Sequence, residues 1–136
     1  ISNAHKVYCD LFMGTVDMVG WLFNKGYRRI AFINGPEKIQ ASKERLNGYI
    51  EGVAKQKLKV DMQMVEKTDL SKESTQDAMK KLLSLKHPPQ AIITFNDYVH
   101  MDAVQYAHKQ GINVNREIVF VSYANLPIGR AKKRCS

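Results

Sequence analysis

Two side chains are equipped for recognition chemistry, Arg45 and Asn96. Arg45 belongs to the stretch "RRIAFINGPEKIQASKERLNGY" (28–49), which reads as a buried strand, a Gly-Pro turn and an amphipathic helix. It falls about one turn into that helix, beside the inward Leu46, on a face directed toward the strand ends. A guanidinium there offers five donors in a planar fork, suited to paired hydroxyls or a carboxylate. On the residues alone, a surface or i,i+4 salt-bridging arginine fits equally well. Asn96 ends the apolar run "AIITF" (91–95) and brings a donor and an acceptor to the same space. A turn or N-cap residue is its other reading. Arginine, asparagine and neighbouring apolar or aromatic groups suit a neutral polyol better than a reactive centre.

Other chemistries find little support. A phosphate cradle needs several glycines so that backbone N–H groups can approach the anion. Here Gly35 is followed by Pro36, which has no N–H, and neither GxxxxGK[ST] nor GxGxxG occurs. No serine lies in a GxSxG turn. The four histidines, His5, His87, His100 and His108, are scattered. His100 and His108, eight apart on one helix, are more than two turns apart and cannot share a metal. Asp97, just before a helix, reads as an N-cap, and Asp69 and Glu73 flank another helix start, where the dipole favours acids without any chemistry. Cys9 and Cys135 form no CxxC or Cys/His cluster, so neither zinc nor a disulfide framework is indicated. No cofactor is expected, and no enzyme.

The elements that must position these residues alternate in type. "KVYC" (6–9) has β character, and "TVDMVGWLFNKG" (15–26) sets Val16, Val19, Leu22 and Phe23 on one helical face and stops at Gly26. "RIAFI" (29–33) is a strand covered on both faces. "ASKERLNGYIEGVAKQ" (41–56) is a helix with Ser42 as candidate cap; its Gly48 and Gly52 are expected to pack closely against the sheet. "QMV" (63–65) is a weak strand, "SKESTQDAMKKLLSL" (71–85) a helix capped by Ser71 or Ser74, and "AIITF" (91–95) a buried strand. "YVHMDAVQYAHKQG" (98–111) is a helix ending at Gly111, and "IVFVSY" (118–123) the last strand. The alternation predicts an α/β fold, a three-layer parallel sheet with helices on both faces. Ligands of such sheets bind beyond the carboxyl ends of the strands. The loops there are 34–40, 67–73, 96–99 and 124–129.

Length and composition fit one ordinary globular domain: 136 residues, 44% hydrophobic and 25% charged. No apolar run approaches the ~20 residues of a membrane span, and the start is not a signal peptide. The formal charge of +8 is uneven, because the tail "RAKKRCS" holds four basic residues and no acid. The remainder carries 17 basic against 13 acidic residues, a net of +4, largely alternating in sign as on solvated helix faces. That pattern argues against a continuous nucleic-acid stripe. Ile1 is not an initiator Met, and the chain reads as a piece of a longer protein.

In order along the chain, "GTVDMVGWLFNKGYRRIAFINGP", "RLNGY", "PPQAIITFNDYVHMDAVQYAHKQG" and "IVFVSYANLP" resemble the LacI-type (lactose-repressor-like) transcription regulators. The match is to the C-terminal subdomain of their effector-binding core, which is similar to periplasmic sugar-binding proteins, and it runs from Gly14 to Pro127. The resemblance implies a cytoplasmic, homodimeric, ligand-responsive repressor. Residues 1–136 would then be a partial effector-binding domain, with the helix-turn-helix that reads operator DNA and the N-terminal subdomain lying outside it. It also implies a sugar-like effector touching Arg45 (the "RL-G" arginine), Asn96 with Asp97 and Tyr98, Ala41, Leu70, Ala124 and Asn125. Three positions depart from the family. Ala41 replaces a polar residue and Leu70 an aromatic, while Ala124 stands where many members have an aspartate. A different sugar, a phosphorylated sugar or a nucleobase-like ligand stays open. A secreted solute-binding protein of the same fold is the alternative.

Overall fold

The structure, a computed structural model, describes residues 10–123. The strand-like run 6–9 expected from sequence, together with Ala124 and Asn125, lies outside the described residues. Helix α1 (Leu11–Asn24) begins four residues before the expected boundary, because the Asp10 carboxylate accepts a hydrogen bond from the Met13 amide at 2.9 Å. It ends as expected, with Gly26 at φ +101° beyond Lys25, a left-handed turn that glycine adopts without strain. Val16, Val19 and Leu22 are buried, whereas Phe23 keeps part of its ring exposed and supports Arg28, 3.9 Å above it.

Strand β1 (Ile30–Asn34) is buried along its whole length. Helix α2 (Gln40–Lys55) starts after Ile39, which offers no side-chain cap. The expected Ser42 cap is wrong. The Pro36 carbonyl accepts the Ile39 amide at 3.4 Å, so the chain turns early and leaves Ser42 inside the first turn. The expected strand at 63–65 is displaced as well: Asp61 accepts from the Gln63 amide and winds Met62–Met64 into a 3₁₀ turn, so β2 is Val65–Lys67. Helix α3 (Lys72–Leu83) is capped by Ser71, one of the two candidates. After β3 (Ala91–Thr94), helix α4 (Asp97–Lys109) is capped by Asn96, whose Oδ1 accepts the Val99 amide at 2.9 Å. Asp97 is therefore not the N-cap, but lies in the first turn where the dipole favours a carboxylate. Strand β4 (Val119–Ser122) completes the sheet.

The sheet is parallel, in the order β2-β1-β3-β4. Period-two alternation assigns its residues to two cores. Ile30, Phe32, Ala91, Ile93 and Val121 face α1 and α2, while Ala31, Ile33, Ile92 and Phe120 face α3 and α4. Fully burying a side chain such as Phe32 is worth about 1.5–3 kcal/mol, so this alternation fixes both helical layers.

Gly48 and Gly52 do pack closely, but against α1 and not against the sheet. A Cβ at Gly48 would sit 2.4 Å from the Phe12 carbonyl oxygen, and one at Gly52 2.8 Å from Val19 Cβ. Two helices sharing one face of a narrow sheet meet each other, and the small residues fall at their crossing.

Candidate ligand site at the carboxyl ends of the strands

The strand register aligns the ends of the sheet: Asn34 pairs with Lys67, Ile33 with Thr94, and Thr94 with Ser122. Asn34, buried at 5% exposure, anchors the loops there. Its Nδ2 donates to the Ser42 carbonyl at 3.0 Å, its Oδ1 accepts the Gly35 amide at 2.9 Å, and its own carbonyl accepts both the amide and the hydroxyl of Thr68. One side chain thus ties the Gly-Pro loop to helix α2, and its backbone ties β1 to the loop after β2. Each such buried bond contributes about 0.5–1.5 kcal/mol net, and an orphaned partner costs more.

Gly35 is small because Phe95 needs the room: a Cβ would stand 2.8 Å from the ring's Cζ. The Phe95 ring in turn carries Arg45, whose guanidinium carbon lies 4.2 Å from its centroid and 4.6 Å from that of Tyr123. Arg45 Nη1 donates to the Ala41 carbonyl at 3.3 Å. Cation–π contacts of this kind are worth about 0.5–2 kcal/mol and restrict a side chain that otherwise samples many rotamers. Thr15 donates its one hydroxyl proton to the Leu11 carbonyl, so in the 2.6 Å contact with Tyr123 it is the tyrosine hydroxyl that donates. Burial pushes the Tyr123 pKa up to about 12, against the opposing Arg45 charge. The tyrosine is a neutral support for the arginine.

The other expected contacts are spread around this centre. Ala41 lies at the start of α2 and offers its carbonyl to Arg45. Asn96 is at the end of β3, next to Phe95, with its Oδ1 committed to the α4 cap. Asp97 is exposed, and Tyr98 is 75% exposed on the first turn of α4. Leu70 adopts φ +74°, the left-handed region that L-residues enter at a cost of about 1–2 kcal/mol. Its loop is held by Asp69, which accepts from the Ser71 amide at 2.9 Å and the Ser74 hydroxyl at 2.8 Å. Those bonds hold the Asp69 pKa down at about 2.

Sequence reasoning missed Phe95, Tyr123, Thr15 and Asn34. A signal existed for the two aromatics, since each is the residue immediately after a buried four-residue strand. Thr15 gave none, because its partner is 108 residues away. Beyond β3, Thr94 Oγ1 donates to the Val121 carbonyl at 3.2 Å and meets His100 Nδ1 at 3.1 Å. Burial lowers the His100 pKa, with Asp97 opposing. Among the described residues no group of three or more His, Cys, Asp or Glu could hold a metal ion, and no helix is long and apolar enough to cross a membrane.

The family described as periplasmic binding protein-like domain matches residues 19–133. The transcriptional repressor CytR of Escherichia coli K12 is 30% identical over 122 residues, covering 90% of this chain and 36% of that protein. A regulatory protein of the LacI family from Chloroflexus aggregans is similar in structure, with a TM-score of 0.79, 26% identity, and coverage of 88% of this chain and 43% of that one. The regulator CelR, solved with cellobiose, has a TM-score of 0.79 and 28% identity over 86% of this chain and 36% of its own. The chain therefore spans little more than a third of the curated relative. The match over most of its length shows that the chain belongs to the periplasmic-binding-protein-like domain family, in the form carried by LacI-type transcriptional regulators.

Proposed function

We propose that this chain is the C-terminal lobe of the effector-sensing core of a LacI-type repressor, gripping a small polar effector, a sugar or sugar derivative, at the carboxyl ends of its strands. Binding there modulates the affinity of the whole protein for operator DNA, read by a helix-turn-helix domain elsewhere in that protein, which acts as a cytoplasmic homodimer. The observation that carries the reading is Arg45, oriented by Phe95 and Tyr123 at the strand ends. A planar donor fork held by two rings approaches a sugar with little ordering left to do. CelR, solved with cellobiose, is similar over 86% of this chain and supports a carbohydrate. CytR and the LacI-family protein support a regulator over a transport protein.

Arg45 is assigned the primary contact, with Asn96, Asp97, Tyr98, Ala41 and Leu70 as further contacts; Ala124 and Asn125 are assigned contacts from the family resemblance alone. An effector held between this lobe and a second one shifts a conformational equilibrium only by its differential affinity for the two states. Isothermal titration of the intact protein against mono- and disaccharides, their phosphates and nucleosides identifies the effector. Arg45→Ala should then weaken it tenfold or more, since hydrogen bonds from a charged donor contribute about 1.5–3 kcal/mol. An unchanged effector response in that variant would remove Arg45 from the site.

A further inference from the structure

A recess of about 650 Å³ lies at the opposite end of the sheet from Arg45, where β1 and β3 begin. Its size falls within the roughly 300–1,000 Å³ of small-molecule sites. Arg28, Arg29, Lys59 and Lys86 line it, with Asp61 as the single acid. Residues 10–123 hold sixteen basic and thirteen acidic side chains, a net of +3. The recess alone carries that +3, so the rest of the described domain is neutral on balance. Such a concentration in a concave surface focuses the field that draws in an anion.

The cations come from three separate segments and are not neutralised by one another's neighbours. The ion pairs among the described residues are Lys67–Glu37 and Lys81–Glu66, neither of which involves the recess. The two arginines are held by carbonyls, which fix their position and leave their charge. Arg28 Nη1 donates to Phe23 and Tyr27 at 2.8 and 3.2 Å, and Arg29 Nε donates to Pro88 at 2.7 Å. The helix dipole accounts for basic residues in the last turns, such as Lys55, Lys80 and Lys81. It does not account for these four, which lie beyond the helix ends. The remaining wall is mixed: Gln63 and His87 are polar, while Leu58, Leu85 and Met62, the last 54% exposed, form an apolar strip.

We propose that this recess is a second ligand site, for a small organic phosphate carrying at least two negative charges. The phosphate groups meet the four cations and the organic body lies along the Leu58–Met62 wall. A monovalent carboxylate would use the guanidinium of one arginine and leave the other charges facing each other, whereas a polyphosphate engages both the planar forks and the point charges of the lysines.

The test is isothermal titration of the intact protein with inorganic pyrophosphate and with adenosine diphosphate at low salt, about 50 mM, with neutral glucose as control. Both anions should bind saturably, one per chain, with adenosine diphosphate the tighter. The double variant Lys59→Ala/Lys86→Ala removes two exposed side chains and leaves the core untouched, and should bind about tenfold more weakly. Lys59→Arg/Lys86→Arg should restore most of the affinity, and Arg45→Ala should leave it unchanged, which separates this site from the effector site. The proposal is overturned by no saturable binding, by equal affinity in the double alanine variant, or by equal loss in Arg45→Ala. Tight binding of non-cognate duplex DNA that depends on the same lysines, with pyrophosphate failing to compete, would overturn it in favour of a nucleic-acid backbone.

Discussion

The two ends of this one sheet are built on opposite principles. At the carboxyl end four polar residues are committed: Asn34 to three loop partners, Asn96 to a helix cap, Thr15 to Leu11 and Tyr123, Arg45 to Ala41 and two rings. At the amino end the charged groups of Lys59 and Lys86 face an open recess. Parallel topology produces this asymmetry. The carboxyl ends of β1, β2 and β3 each lead into a helix N-terminus, where unsatisfied amides demand caps, whereas the loops entering those strands lie beyond the helix ends and carry the cations of the recess. The carboxyl end is thus organised by hydrogen bonds before any ligand arrives. The amino end is organised by charge, and a partner has more ordering left to do there.

The largest effect that would break this contrast is at Gly35. Adding one methyl by Gly35→Ala puts a Cβ 2.8 Å from Phe95, itself only 6% exposed and packed in the core. Overpacking of this kind costs about 1–3 kcal/mol. Because Phe95 supports Arg45, the variant should lose effector affinity as well as stability. The Lys59→Ala/Lys86→Ala variant at the other end should hold its stability within about 0.5 kcal/mol. Thermal melts of the two variants, run side by side, check the comparison. Equal stabilities would mean that the Gly-Pro loop yields, and that Arg45 is not held by packing.

Most of the fold was readable because burial writes itself as period. "RIAFI" and "AIITF" are continuous apolar runs, and both became strands covered on two faces. Gly26 and Gly111 marked helix ends and adopt φ of +101° and +77°. Legibility failed where a local polar group captured the backbone, as Asp61 did in displacing β2 by two residues. It failed too where contacts were distant: GxxxG shows that something approaches closely, yet only the fold decides that the neighbour is α1. In the candidate site, residue type and position were enough to single out Arg45 and Asn96, the latter with its N-cap reading beside the ligand one. The Phe95–Arg45–Tyr123 arrangement could not be found that way, since it joins three segments whose register only the sheet sets.

A smaller effect is expected at the far side of Arg45. Tyr123→Phe keeps the ring under the guanidinium and removes the hydroxyl that donates to Thr15. Loss of one such bond costs about 0.5–1.5 kcal/mol, a shift of a few degrees in melting temperature for a domain this size. If the ring is what orients Arg45, effector affinity should fall by less than in Arg45→Ala. Equal losses in the two variants would assign the orienting role to the hydroxyl. Titration and thermal melts on both variants decide between these outcomes.

The smallest effect concerns His100, whose imidazole packs edge-on against Phe120 and meets Thr94 at 3.1 Å. Burial holds its pKa below the ordinary histidine value, while the nearby Asp97 works in the other direction. The unfolded chain therefore binds a proton at a pH where the folded domain still resists one. Stability is full above the ordinary histidine range, falls as the pH drops through it, and levels off once the pH is below the folded value. Asp69, with its pKa near 2, adds its own loss only in stronger acid, as the pH falls below the ordinary carboxylate range. Denaturant unfolding of wild type between neutral and mildly acidic pH should show that decline, and His100→Gln should flatten it whatever the variant does to stability at neutral pH. A variant as pH-sensitive as wild type would mean that the protonated imidazole turns out to solvent at no cost, and that the Thr94–His100 contact does not hold this part of the carboxyl end closed.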